Sequence, residues 1–163
     1  MRALLALLTC LVLLLWAPAV MAWTLTGRVV AIVSGDTIKV RDERQVQHTV
    51  RLAGIDAPEK FQQYGQRSLD SLRELVFQRS VAVEIPGQDR SAPRVGKVLL
   101  EGRDMNLEQL YLGAAWYNKA PSLTPEDRQA YAEVEADARV RRAGLWREAK
   151  PIPPWEYRAG RRK

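Results

Sequence analysis

Between residues 23 and 55, three runs rich in β-branched and apolar residues are separated by two tight polar turns, Ser34-Gly35-Asp36 and Asp42-Glu43-Arg44. Trp23 to Val33 reads as one strand, Ile38-Lys39-Val40 alternates back, and Val46 to Ile55 returns as a third. β-branched side chains suit a pleated surface, while Gly, Asp and Ser supply the turn conformations that reverse a chain. Strands joined this closely form an antiparallel meander.

The period then changes. Leu69, Leu72, Leu75 and Val76 recur at helical spacing between Gln66 and Phe77. Val81 to Ile85 reads as a fourth strand and Lys97 to Leu100 as a fifth, with a turn at Glu101-Gly102 and Met105 beyond. Asn106 is expected to cap a short helix, with Gln109 in the capping-box position and Gly113 at its end. The last helix is expected to take Thr124 as N-cap and Pro125 as its first residue, with Glu126 and Asp127 at the positive end of the dipole. It runs toward Arg142 and stops at Gly144, after which Leu145-Trp146 is expected to fold back as packing. The fold class is therefore α+β. Five strands with a helix between the third and fourth fit a Greek-key barrel of the OB type, with about three helices. Such barrels often carry nucleic-acid sites on one face, but fold alone does not establish function.

Residues 1–22 read as a signal peptide: Arg2, an apolar run from Ala3 to Ala17 broken only by Thr9, and Val20-Met21-Ala22 as a cleavage site. Export to the periplasm or the medium is the expectation, and an N-terminal membrane anchor is the alternative. Residues 23–150 then form the barrel domain, and 151–163 a Pro/Trp strap with a basic tail. Cys10, the only cysteine, lies in the leader, so disulfides, thiol catalysis and thiolate zinc are excluded for the exported chain. The lone His48 lies in the polar run 45–49, where a solvent-exposed ring is expected. The net charge is +6, which favours polyanions without saying which. Part of that excess sits in Arg158, Arg161, Arg162 and Lys163, a tail expected to be disordered. Nothing demands more than a monomer or a stable protein partner.

The chemistry is concentrated in Arg51-Leu52-Ala53-Gly54-Ile55-Asp56-Ala57-Pro58-Glu59, with Asp36 in the earlier turn. Gly54 and Pro58 mark where the strand gives out, which places Asp56 at a strand-to-loop junction. Three carboxylates and one guanidinium at a rigid loop suit a hard cation together with a phosphate. Each residue also has a plain reading: a turn acid, a helix-start acid, an ion-pair partner for Asp56. It is their combination that points to function.

These residues resemble the thermonuclease (staphylococcal nuclease-like) family. The likeness runs through Gly35-Asp36-Thr37, the Arg51-to-Glu59 block, Tyr64-Gly65, Gly102-Arg103-Asp104-Met105-Asn106, Gly144-Leu145-Trp146 and Pro153-Pro154-Trp155-Glu156. It implies a calcium-dependent nuclease acting on DNA or RNA and leaving 3′-phosphate ends. By that resemblance Asp36, Asp56 and the backbone carbonyl of Ala57 would hold Ca2+, Glu59 would act as general base, and Arg51 would bind the scissile phosphate. Arg90 and Lys119 are further candidates for substrate contact. Ser34 stands where the family often has another acid, so weak calcium affinity is expected.

One departure matters. The family places a second catalytic arginine where Pro93 stands here, and Arg94 comes one position late. A one-residue shift in a strand turns a side chain to the opposite face. Either the loop still delivers Arg94 to the phosphate, or the domain is a catalytically weak nucleic-acid-binding module. The tyrosine of the same family segment is replaced by Ser91. A third reading, a cell-envelope interaction domain docking through 151–155, competes with a strap that packs Trp155 on the barrel.

Overall fold

A computed structural model describes residues 23–87, 93–119 and 123–161. The signal-peptide expectation and Cys10 fall on residues 1–22 and lie outside that description, as do Arg90 and Ser91. The twelve-residue strand β1 (Trp23–Ser34) serves two neighbours in turn. Residues 28–34 run antiparallel to β2 (Thr37–Arg41), and residues 23–28 to β5 (Ser80–Ile85). Register shifts after Val29 and after Ile32 bend the strand from one partner toward the other. β3 (Gln47–Leu52) continues the meander with Val50 opposite Ile38. β6 (Arg94–Leu100) is antiparallel to β5 and parallel to β3, with Arg94 opposite Val50 and Gly96 opposite Leu52. That last pairing closes β3-β2-β1-β5-β6 into a five-stranded barrel.

A hairpin through Glu101 and Gly102, both at positive φ, adds β7 (Arg103–Asp104) beside β6. The short strands β4 (Ile55–Asp56) and β8 (Trp116–Tyr117) pair separately. Val29, Ile38, Val40, Val50, Val83 and Val98 are wholly buried, as the alternation of strand side chains requires. Helix α1 (Gly65–Val76) lays Leu72 and Val76 on this core. α2 (Met105–Tyr111) and α3 (Pro125–Val140) pack together beside it. The 3-10 turn Gly144–Arg147 seats Leu145 and Trp146 in a second small core with Trp116 and Ala138. The expected return of Leu145-Trp146 onto the body is thus observed.

The α+β barrel matches the sequence expectation, and four elements differ. The single strand expected from Val46 to Ile55 is two, β3 and β4, separated by Ala53-Gly54. Gly54 sits at φ 72°, and a side chain there would run into Leu123, so the chain turns where only glycine fits. The cap of α2 is Asp104, whose carboxylate accepts from the N–H groups of Asn106 (2.9 Å) and Leu107 (3.1 Å). Asn106 itself is buried and bonds elsewhere. His48 is not solvent-exposed; it lies in β3 between Asp42 and Arg94. There are four α-helices among the described residues, because Arg158, expected in a disordered tail, lies in α4 (Pro154–Gly160), while Arg162 and Lys163 fall outside the description. Pro154 takes a first-turn position, where its missing N–H costs nothing.

Candidate active site

The turn at Ser34-Gly35-Asp36 delivers the first acid. The Asp36 carbonyl accepts from Leu52 N–H at 2.8 Å, which ties this turn to the end of β3. Its carboxylate is almost fully buried. Oδ1 accepts from the Ser34 hydroxyl (2.7 Å) and the Thr37 hydroxyl (2.9 Å), and Oδ2 accepts from Ala57 N–H (3.0 Å). Ser34, in the position where an extra acid was sought, therefore steadies Asp36.

Beyond the Gly54 turn, β4 pairs with β8 and carries Asp56 within reach of Arg51 on β3. Arg51 Nη2 donates to Asp56 Oδ1 at 3.2 Å and lies 3.6 Å from Asp36 Oδ2. Asp56 is 1% exposed, and a carboxylate this deep demands paired cations. Glu59 follows on the loop, where Gln62 Oε1 accepts from its N–H at 3.0 Å. Asp36, Arg51, Asp56 and Ala57 are thus joined by direct contacts, with Glu59 three residues beyond Asp56 on the same loop.

Two buried amides hold this arrangement from behind. Gln109 Nε2 donates to the carbonyls of Gly35 (2.7 Å) and Ser68 (3.2 Å), and its Oε1 accepts from Ser71 (2.6 Å). Asn106 Nδ2 donates to the carbonyls of Ala53 (2.9 Å) and Gly96 (3.2 Å), and its Oδ1 accepts from Val98 N–H (3.0 Å). Both the Gly35 turn and the Ala53-Gly54 turn are therefore pinned to α2.

A residue that sequence reasoning missed completes the cluster. Arg158 of α4 donates through Nη2 to Asp56 Oδ2 (2.7 Å) and through Nη1 to Asp56 Oδ1 (3.1 Å) and Glu59 Oε1 (2.8 Å). Hydrogen bonds to Asp56 first and Glu59 second hold this guanidinium's pKa above its ordinary value. The available signal was Pro153-Pro154 opening a helical turn with an arginine on it; reading that stretch as a loose basic tail hid it.

Arg94 is placed elsewhere. It enters β6 opposite Val50, so Val95 is the residue abreast of Arg51. Its Nη1 lies 2.9 Å from His48 Nδ1, and its guanidinium stacks 4.7 Å from the Trp23 ring centroid. The one-residue offset has turned it away from the acids, as strand alternation dictates. Lys119 is exposed just beyond β8, next to Asn118, whose N–H donates to the Gly54 carbonyl at 2.8 Å.

A small closed barrel with acids and guanidiniums at one end has the groups that phosphate recognition needs. Residues 49–148 match the family described as staphylococcal nuclease homologue. A protein of Escherichia coli O157:H7 named as an uncharacterized endonuclease is 37% identical over 153 residues, 91% of this chain and 94% of that one. A Haemophilus influenzae protein of the same description is 37% identical over 133 residues, covering 82% of this chain and 72% of that one. A Shigella flexneri protein named micrococcal nuclease is 36% identical over 154 residues, covering 86% and 84%. The chain belongs to the staphylococcal nuclease family, and its activity class is that of a hydrolytic nuclease.

Proposed function

We propose that this protein is a calcium-dependent nuclease that hydrolyses phosphodiester bonds of DNA or RNA and leaves 3′-phosphate ends. The observation that carries this reading is the approach of Asp36 and Asp56, from separate turns, to one cationic nitrogen of Arg51. Among the described residues no cluster of three or more His, Cys, Asp or Glu is arranged to hold a metal. Two buried carboxylates and a neighbouring carbonyl are nevertheless an all-oxygen donor set, and its chemistry fits calcium when water fills the remaining positions. Asp36, Asp56 and the Ala57 carbonyl would hold the ion. Bound there, it would neutralise charge on the phosphate.

The protein's own groups divide the remaining work. Glu59 takes the proton of the attacking water, a contribution of about 10²–10⁴ in rate. The water oxygen bonds to phosphorus, the bond to the 5′-oxygen breaks, and that oxygen takes a proton from solvent water to leave as a hydroxyl, while Glu59 returns its proton to solvent. Arg51 donates to the phosphoryl oxygens as their charge grows. The leader-like N-terminus supports export before the enzyme acts.

A second reading, a nucleic-acid-binding module with little catalysis, is favoured by one observation: Arg94 faces His48 and Trp23. One assay separates the two. Cleavage of labelled single-stranded DNA is followed with calcium and with a chelator, for the parent and for Glu59→Gln. Calcium-dependent cutting that the variant loses, with DNA binding retained, is the expected result. Salt-sensitive binding without cutting by the parent would favour the module.

A further inference from the structure

We propose that Arg158, carried by the C-terminal helix α4, is the second phosphate-binding guanidinium of this site, a reading that rests on the nuclease function above. In the structure its fork spans Asp56 and bridges to Glu59. Asp56 Oδ1 consequently accepts from two guanidiniums, Arg51 at 3.2 Å and Arg158 at 3.1 Å. A phosphate approaching the proposed base and metal ligands thus meets two planar, always-charged forks that share Asp56. That is the arrangement that recognises phosphoryl oxygens bidentately.

Two features favour a resident role over a plug that must leave. First, α4 is docked by contacts that do not involve Arg158. Pro154 is buried, and the Trp155 ring meets Trp116 edge-on at 5.7 Å. Gln62 Nε2 donates to the Ile152 carbonyl at 2.6 Å, and the Tyr157 hydroxyl donates to the Phe61 carbonyl at 3.3 Å. Expelling the helix would break all of these. Turning the arginine from Asp56 to a phosphate needs only rotation within a side chain that is 38% exposed. Second, Arg94 is committed to His48 and Trp23 on the other face of the strand, so α4 supplies the cation that β6 does not aim at the acids. The helix brings it from 102 positions along the chain from Asp56.

The test uses the full chain, with Arg158→Ala and Arg158→Lys, each checked for fold by circular dichroism. On single-stranded DNA with calcium, Arg158→Ala is expected to lower kcat/KM by about 10²–10³. Arg158→Lys should recover part of it, since an ammonium supplies the charge without the fork. A second readout does not depend on turnover. In a Glu59→Gln background with calcium, affinity for a fluorescein-labelled oligonucleotide is measured against salt. Adding Arg158→Ala should reduce the log–log slope by about 0.7, one phosphate contact on a single strand. A kcat/KM at or above the parent's would make Arg158 a plug over the acids and overturn the proposal. An unchanged salt slope, whatever the rate, would also overturn it. If the parent itself fails to cut DNA, the nuclease reading fails, while the salt slope still decides whether Arg158 meets a phosphate.

Discussion

The Asp104 carboxylate accepts two N–H groups at the start of α2 and the Tyr131 hydroxyl at 2.7 Å. Burial nevertheless raises its pKa above the ordinary 3.8, outweighing those bonds. The same burial, with the neighbouring Asp104 charge, raises that of Tyr131. An acid with a raised folded pKa keeps its proton to higher pH when folded than when unfolded. Asp104 therefore lowers stability as pH climbs through 3.8 toward the folded value, and the loss is complete above it. Asp104→Asn keeps a capping oxygen and removes the titration. The melting temperature of this variant minus that of the parent should rise with pH from about 4 and then level off. Melts across that range check it, and a difference that falls with pH would mean the Asp104 carboxylate is stabilised rather than strained by its site. The chain gave little warning of Asp104: Asn106 is an equally good capping residue, and only depth in the fold separates them. Arg51, Asp56 and Glu59 were picked out by their dense run of charge and its family resemblance, with Pro58 marking the loop, whereas the split of the expected strand at Gly54 into β3 and β4 was not foreseen.

Among the elements, the meander and α3 could be read locally, since turn residues and caps act within a few positions. Thr124 accepts from Asp127 N–H at 3.1 Å, as its place before Pro125 predicted. What escaped reading were contacts between distant elements. Gln109 looked like the far half of a capping box, yet it reaches Gly35, 74 positions back, and Asn106 reaches Ala53, 53 positions back. α4 was missed in a different way: Trp155 was expected to pack on the body and does so against Trp116, but from a helix opened by Pro154 and not from an extended strap. This contrast sets two magnitudes. Thr124→Ala removes an exposed cap and should cost about 1 kcal/mol in urea unfolding. Gln109→Ala strands the Gly35 carbonyl and the Ser71 hydroxyl beneath the site and should cost more, on the order of 2–3 kcal/mol. It should also lower turnover, because the Asp36 turn loses its rear support. Equal losses in the two variants, with turnover intact in both, would show that Gln109 only fills space.

At the scale of the whole molecule, barrel closure and site assembly meet at Gly96. Its strand completes the barrel by lying parallel to β3, and its carbonyl accepts from Ala53 N–H at 2.8 Å and from Asn106 Nδ2 at 3.2 Å. A side chain there would meet the Glu84 carbonyl oxygen and Val83 Cγ1, each at 2.7 Å. The carbonyl belongs to the neighbouring strand of the ladder and cannot move without opening it. Gly96→Ala should therefore destabilise the protein by about 1–3 kcal/mol through overpacking, although Gly-to-Ala is usually favourable where backbone permits. The added methyl also presses on the strand whose carbonyl holds the Ala53-Gly54 turn. That turn aims Asp56, so turnover should fall in protein that is still fully folded. Urea unfolding and kcat/KM on the same preparations test both parts. Lost stability with unchanged turnover would separate barrel closure from the site, and the Asp56 turn would then owe its shape to Asn106 and Leu123 instead.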